Sequence, residues 1–158
     1  MVIQSNPVSR DPTPRVFTTL YWLTCPLLIR HLSRYESEGW VRRVEDVYRQ
    51  SAEVRENLSD LHGEYAFRRR RAVGSIRMSR LSKRRPKLAE TLSRTGIAGV
   101  SDTSHVKCLH AHAAFHLVRG GHPLFETFPE LLKDVADCRD CDRLAENTGG
   151  KRERGDAV

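Results

Sequence analysis

The spacing of apolar residues predicts helices along most of this chain. After Pro26, apolar side chains recur every three to four residues on one stripe, and Gly39 ends the pattern. A second short helix is predicted over residues 40–48. A third is predicted over residues 52–71, with Ser51 placed to cap its first turn. Pro26 favours a helix start. Proline has no backbone N–H, and the first turn of a helix does not use that group in its own hydrogen bonds.

The N-terminal region follows a different pattern. Residues 16–23 are β-branched and aromatic, which predicts one short strand. Residues 1–14 carry three prolines and little periodicity, so we expect an extended arm. A single globular domain is predicted over residues 15–146 and a disordered tail over residues 147–158. The predicted fold is mainly α, with one short β element near the N-terminus, and an α+β arrangement stays open.

One stretch of twelve residues concentrates the chain's candidate chemistry. Residues 105–116 hold one thiol and four imidazoles. On a helix capped by Asp102 or Ser104, four of them would share one face, because they are three, four and four residues apart. They are His105, Cys108, His112 and His116. Thiolate and imidazole are the usual ligands of zinc, and this pattern predicts a zinc-like metal site.

A closed zinc site needs four ligands, and the chain offers further thiols. Cys138 and Cys141 form a CxxC motif that can complete such a site. Three alternatives stay open for these residues. Cys108, His112 and His116 can be buried core residues. Cys108 or Cys25 can be a nucleophile activated by a neighbouring imidazole, which would make the protein a Cys/His-dependent enzyme. Cys138 and Cys141 can be exposed thiols or a redox pair.

A second feature is a strongly basic segment. The chain carries a formal net charge of +7, and residues 67–87 contain ten basic side chains and no acid. This excess favours a polyanion such as RNA, DNA or an acidic protein. The alternative is a solvated basic helix. The candidate nucleic-acid-binding residues are Arg68, Arg69, Arg70, Arg71, Arg77, Arg80, Lys83, Arg84, Arg85 and Lys87.

Two sequence blocks carry a family resemblance. They are TTLYWLTCP at residues 18–26 and VKCLHAH at residues 106–112. In both, the chain resembles the bacterial domain-of-unknown-function 501 family, which has no established activity. Members carry Cys or His before the proline, so the resemblance implies that Cys25 is a metal ligand. It also directs attention to His110, which lies about 160° around a helix from His112. Either imidazole can therefore be the ligand.

These observations give one leading hypothesis and two alternatives. The leading one is a small protein that binds a zinc-like metal through Cys25, Cys108, His110 or His112, completed by Cys138 and Cys141. The alternatives are a nucleic-acid- or ribonucleoprotein-associated module and a Cys/His enzyme of unknown reaction. No apolar stretch predicts a membrane span, and the N-terminus does not look like a signal peptide, so we expect a cytoplasmic protein. The sequence predicts no particular oligomeric state.

Overall fold

The computed structural model describes residues 2–133, and Cys138 and Cys141 lie outside them. Within these residues the protein is mainly α with one small sheet near the N-terminus, which confirms the predicted fold class. The helices are α1 (Pro26–Ser37), α2 (Trp40–Gln50), α3 (Ala52–Val73), α4 (Ser75–Arg84), α5 (Pro86–Arg94), α6 (Leu109–Arg119) and α7 (Pro123–Thr127). None of these helices is long and apolar enough to cross a membrane.

The sheet joins two parts of the N-terminal region. Strand β1 (Val2–Gln4) pairs antiparallel with β2 (Tyr21–Leu23), so part of the predicted arm belongs to the fold. Further along the same segment, Val8 is buried and forms a bridge to Val16. The strand predicted over residues 16–23 is therefore shorter than expected. Its partner was missed because strand pairing depends on distant residues, which local patterns do not report.

Helix α3 lies at the centre of the packing. Tyr65 is fully buried, and its hydroxyl accepts a hydrogen bond from the backbone N–H of Leu20 at 2.7 Å. Its ring packs edge-on against Phe115 of α6, with centroids 5.1 Å apart. Ser51 caps α3, as predicted, by accepting from the N–H of Val54. These contacts fix α6 and the start of β2 against the same helix.

The histidine-rich helix begins later than the sequence predicted. Leu109 is its first residue and Cys108 its N-cap, so neither Asp102 nor Ser104 caps it. His105 precedes the helix altogether. The predicted shared face of His105, Cys108, His112 and His116 is therefore wrong, because only His112 and His116 lie on the helix proper. Helix α1 packs against this N-terminal end of α6.

Candidate metal centre

Three donor atoms of different chemistry converge where α1 meets the start of α6. Glu36 comes from the last turn of α1, Cys108 is the N-cap of α6, and His110 lies in the first turn of α6. One ligand atom from each lies within 4.8 Å of the other two. All three residues are partly buried, so the cluster opens to solvent on one side. We refer to these three residues as the three-donor cluster.

Helix α1 fixes the orientation of the His110 ring. Nε2 of His110 lies 3.0 Å from the carbonyl oxygen of Ile29 and 3.2 Å from Oγ of Ser33. A carbonyl can only accept, so Nε2 carries a hydrogen and donates it to Ile29. In the neutral ring the lone pair is then on Nδ1. That nitrogen lies 3.1 Å from Oε1 of Glu36 and 3.9 Å from Sγ of Cys108.

The carboxylate of Glu36 is held as firmly as the ring. Its Oε1 accepts a hydrogen bond from the backbone N–H of Leu109 at 2.6 Å, one of the unpaired donors at the start of α6. Burial raises the pKa of Glu36, but hydrogen bonds from His110 and Leu109 outweigh burial and leave that pKa lowered. Glu36 is therefore an anion beside a thiol and an imidazole.

The same contacts act on His110 in the opposite direction. Hydrogen bonds with Cys108 and then with Glu36 raise the pKa of His110 to about 10, against the opposing effect of burial. The electron pairs of a carboxylate, a thiol sulfur and a neutral imidazole would repel one another at these distances. The thiol hydrogen of Cys108, a second proton on His110 or a metal cation among the three atoms can each remove this repulsion.

The distances suit a metal ion. Zinc bonds of about 2.0–2.3 Å at tetrahedral angles place neighbouring ligand atoms about 3.3–3.6 Å apart. The observed separations are 3.1 Å between Nδ1 of His110 and Oε1 of Glu36, and 3.9 Å between that nitrogen and Sγ of Cys108. These separations lie about 0.2 Å below and about 0.3 Å above that range. The imidazole's outer N–H is already oriented by a backbone carbonyl, the usual arrangement for a histidine ligand.

The geometry differs from that of a Cys–His–acid catalytic triad. In a triad, one ring nitrogen faces the nucleophile and the other faces the acid. Here Cys108 and Glu36 both lie beside Nδ1 of His110, while Nε2 is held by Ile29. The sulfur of Cys108 and the carboxylate of Glu36 therefore approach the same ring nitrogen, and His110 does not lie between them as a proton relay would require.

On the other side of α6, His112 forms a row of buried imidazoles with His62 and His122. All three side chains are at most 1% exposed. His122 Nδ1 accepts from the N–H of Leu124, so its Nε2 carries the hydrogen and donates to Nδ1 of His112 at 2.9 Å. His112 then carries its hydrogen on Nε2, which has no hydrogen-bond partner among the described residues.

His62 extends the row to α3. Its ring centroid lies 5.6 Å from that of His112. His62 Nδ1 accepts from the N–H of Ile97, and its Nε2 donates to the carbonyl of His105. Burial lowers the pKa of His62 to about 4 and that of His122 to about 3, and it lowers the pKa of His112 well below the ordinary value. These rings are neutral packing residues.

The predicted ligands are thus divided by the structure. Cys108 and His110 lie together in the three-donor cluster. Glu36 is its third member, and no sequence pattern indicated it. Cys25 is the buried N-cap of α1 and is not one of the three donors. His112 is buried on the other side of α6 and bonded to His122. The predictions for Cys138 and Cys141 lie outside the described residues.

His105, which the sequence placed with the helix ligands, lies in a separate cleft. Its Nδ1 is 2.9 Å from Oε1 of Glu45, which also accepts from the N–H of Val106. Its Nε2 lies 3.4 Å from Asp102. Lys107 lines the same cleft, whose volume is about 500 Å³. His105 is therefore held by carboxylates away from the three-donor cluster.

Most of the basic residues are exposed, two are partly buried and one is fully buried. Arg69 is fully buried, so the prediction that it contacts a polyanion is wrong. Its guanidinium donates to the backbone carbonyls of Thr18, Leu92, Thr95 and Gly96, and to the hydroxyl of Thr95. Arg68 pairs with Glu64 at 2.8 Å, and Arg77 is partly buried. The exposed members are Arg70, Arg71, Arg80, Lys83, Arg84, Arg85 and Lys87.

Comparison with known proteins gives one match. No curated protein and no solved structure matches the chain. One family model, described as "Protein of unknown function (DUF501)", matches residues 1–128, which include the three-donor cluster and the buried imidazoles. This match covers more than half of the 158 residues and agrees with the resemblance found in the sequence. The protein therefore belongs to the DUF501 family of proteins of unknown function.

Proposed function

We propose that this protein binds a transition-metal ion of the zinc type through Glu36, Cys108 and His110. The observation that supports the proposal is the convergence of the three donor atoms within 4.8 Å. The orientation of the ring adds to it, because Ile29 holds Nε2 and leaves Nδ1 turned toward the other two donors. Thiolate, imidazole and carboxylate are all zinc ligands, and the two nitrogen and sulfur donors favour zinc over magnesium or calcium.

Three protein ligands at a partly exposed site leave a fourth position for water or another ligand. This is the coordination of zinc sites that do chemistry, whereas structural sites are closed by four protein ligands. A metal held there would act as a Lewis acid and lower the pKa of a bound water. Glu36 and His110 would hold it through side chains that are 29% and 22% exposed, so a small molecule can reach the site.

The first experiment is zinc analysis of the purified, untagged, full-length protein after removal and readdition of metal. We expect about one zinc per chain. Cys108→Ser and His110→Gln should each weaken zinc binding by more than about 100-fold, since loss of an outer partner of a ligand already costs 10–100-fold. Glu38→Gln is the matched control for Glu36→Gln, because Glu38 is an exposed carboxylate two residues further along. The Glu38→Gln control should bind zinc as tightly as the parent protein.

Two outcomes would contradict the proposal. One is a parent protein that takes up no zinc while folded. The other is undiminished zinc in a Cys108→Ser/His110→Gln double variant. Cobalt substitution gives a second readout, because a thiolate–cobalt bond produces a charge-transfer absorption that should vanish in Cys108→Ser. A Cys138→Ser/Cys141→Ser variant separates the two forms of the site. Unchanged affinity leaves the three-ligand site, and weaker binding assigns the fourth position to these thiols.

A further inference from the structure

A groove lined by arginines runs between α4 and the N-terminal segment over residues 8–14. Its volume is about 480 Å³. Pro12 and Pro14 are part of its wall, and the buried side chains of Val8 and Leu81 lie at its base. Four guanidinium groups line it, those of Arg77, Arg80, Arg84 and Arg85. We refer to this surface as the arginine groove.

The positive charge of the arginine groove is not neutralised by the described residues. The groove has one carboxylate, Asp11, which pairs with Arg15 at 3.1 Å. Arg77 donates to the carbonyl oxygen of Ser9 at 2.7 Å, so it holds the N-terminal segment against α4. Within residues 2–133, no ion pair involves Arg80, Arg84 or Arg85. These guanidinium groups are available to an anion.

The spacing of the arginines suits a repeating anion. Arg77, Arg80 and Arg84 are three and four residues apart, so they share one face of α4. At the helical rise of 1.5 Å per residue they are about 4.5 and about 6 Å apart along the axis. A row of this kind contacts successive charges of an extended polymer. The guanidinium fork also binds phosphate through two hydrogen bonds at once.

We infer that the arginine groove binds the backbone of single-stranded nucleic acid. A recess between α4 and residues 8–14 suits a single extended strand better than duplex DNA, which is read by elements that protrude into its own grooves. Elsewhere in the basic segment, Phe67 on α3 is 50% exposed, with the guanidinium carbons of Arg70 and Arg71 5.9 and 5.8 Å from its ring centroid. Exposed aromatic rings and guanidinium planes can stack on nucleic-acid bases. An acidic peptide has no bases, so this feature favours nucleic acid as the ligand.

This inference does not depend on the metal site. The groove is formed by α4 and residues 8–14, and the three-donor cluster is formed by α1 and α6. Zinc removal should therefore leave nucleic-acid binding unchanged if the fold is retained. Substitution of Arg80 and Arg84 should leave zinc binding unchanged. Failure of either proposal can thus be recognised separately.

The experiment measures binding of a fluorescent 20-nucleotide single-stranded RNA of mixed sequence by anisotropy, between 50 and 200 mM NaCl. Three phosphate contacts, one for each available arginine, give a slope of about −2.1 in log affinity against log salt, or about 18-fold weaker binding over this range. Arg80→Gln/Arg84→Gln should leave about a third of the slope, so the loss falls to about 2.6-fold. Arg30→Gln/Arg42→Gln is the control, because it removes two exposed arginines on α1 and α2. Its net charge therefore equals that of the Arg80→Gln/Arg84→Gln variant. It should keep the parent slope.

Four results would overturn the inference. The first is no RNA binding at 50 mM NaCl by the folded protein. The second is an equal loss in both double variants, which would mean that the whole surface charge attracts RNA without a groove. The third is tighter binding of a DNA duplex than of the single strand. The fourth is equal competition by polyglutamate at matched charge, which would assign the groove to acidic proteins. Circular dichroism of each variant verifies that it is folded.

Discussion

The two sides of α6 place the same residue type in opposite environments. His110 faces α1, beside Glu36 and Cys108, and its pKa is raised to about 10. His112, two residues later, is fully buried against His62 and His122, and burial lowers its pKa well below the ordinary value. One imidazole lies beside a carboxylate and a thiol, and the other is a neutral part of the core. Neighbouring charge and solvent access decide the role of a histidine here.

The largest contrast is expected between two alanine substitutions. His112→Ala leaves a cavity and a buried N–H of His122 without its acceptor, so the free energy of unfolding should fall by about 4 kcal/mol. His110→Ala removes a partly exposed ring and should lower it by about 1 kcal/mol in metal-free protein. Urea unfolding at pH 7.5 with a chelator measures both values. Equal losses would mean that the two sides of α6 do not differ as described.

Acid should separate the two sides by a comparable amount. The pKa values of His62 and His122 are about 4 and 3 in the folded protein, against 6.5 in the unfolded chain. Below pH 6.5 the unfolded chain therefore binds more protons than the folded one, and the free energy of unfolding decreases as the pH is lowered. From pH 7.5 to 5 the two groups remove about 4 kcal/mol.

His110 acts with the opposite sign, which gives this acid test an internal control. Because its pKa is raised, its stabilising contribution grows as the pH falls toward 6.5 and is lost as the pH rises through about 10. It therefore offsets part of the loss caused by the buried imidazoles. His110→Gln should show a steeper fall in unfolding free energy between pH 7.5 and 5 than the parent. A flat profile in both proteins would contradict neutral buried imidazoles.

A smaller effect is expected from a pair of glycine substitutions. A Cβ added at Gly96 would lie 2.3 Å from Nδ1 of His62, so Gly96→Ala must displace the ring and its bond from Ile97. We expect a loss of about 2 kcal/mol. At Gly63, within α3, an added Cβ meets nothing within 4 Å, and Gly63→Ala should gain about 0.5–1 kcal/mol. Thermal unfolding of both variants measures the difference, and a loss at Gly63 matching that at Gly96 would contradict it.

Local features of the fold were predictable because short-range rules govern them. The cap of α3 at Ser51 and the start of α1 at Pro26 both follow from residue type. The start of α6 at Leu109 was not predictable in this way. His105 and Cys108 have the spacing of helical residues, but they precede the first turn of the helix. The pairing of β1 with β2 was likewise absent from any local pattern.

The site was predictable in part. Cys108 and His110 were among the candidates, but Glu36 lies more than 70 residues earlier and shows no spacing that relates it to them. The burial of Arg69 did leave a signal. It is four residues after Tyr65 and four before Val73, on the buried stripe of α3. The run of four arginines concealed that periodicity, since basic runs are ordinarily solvated.

The metal site is proposed on the side of α6 that bears His110, and not on the side that bears His112. X-ray diffraction from crystals grown with zinc, recorded on both sides of the zinc absorption edge, distinguishes the two sides. We predict an anomalous peak about 2.0–2.3 Å from Sγ of Cys108, Nδ1 of His110 and a carboxylate oxygen of Glu36. A peak at His112, or zinc bound at Cys138 and Cys141 with none at the three-donor cluster, would contradict the account.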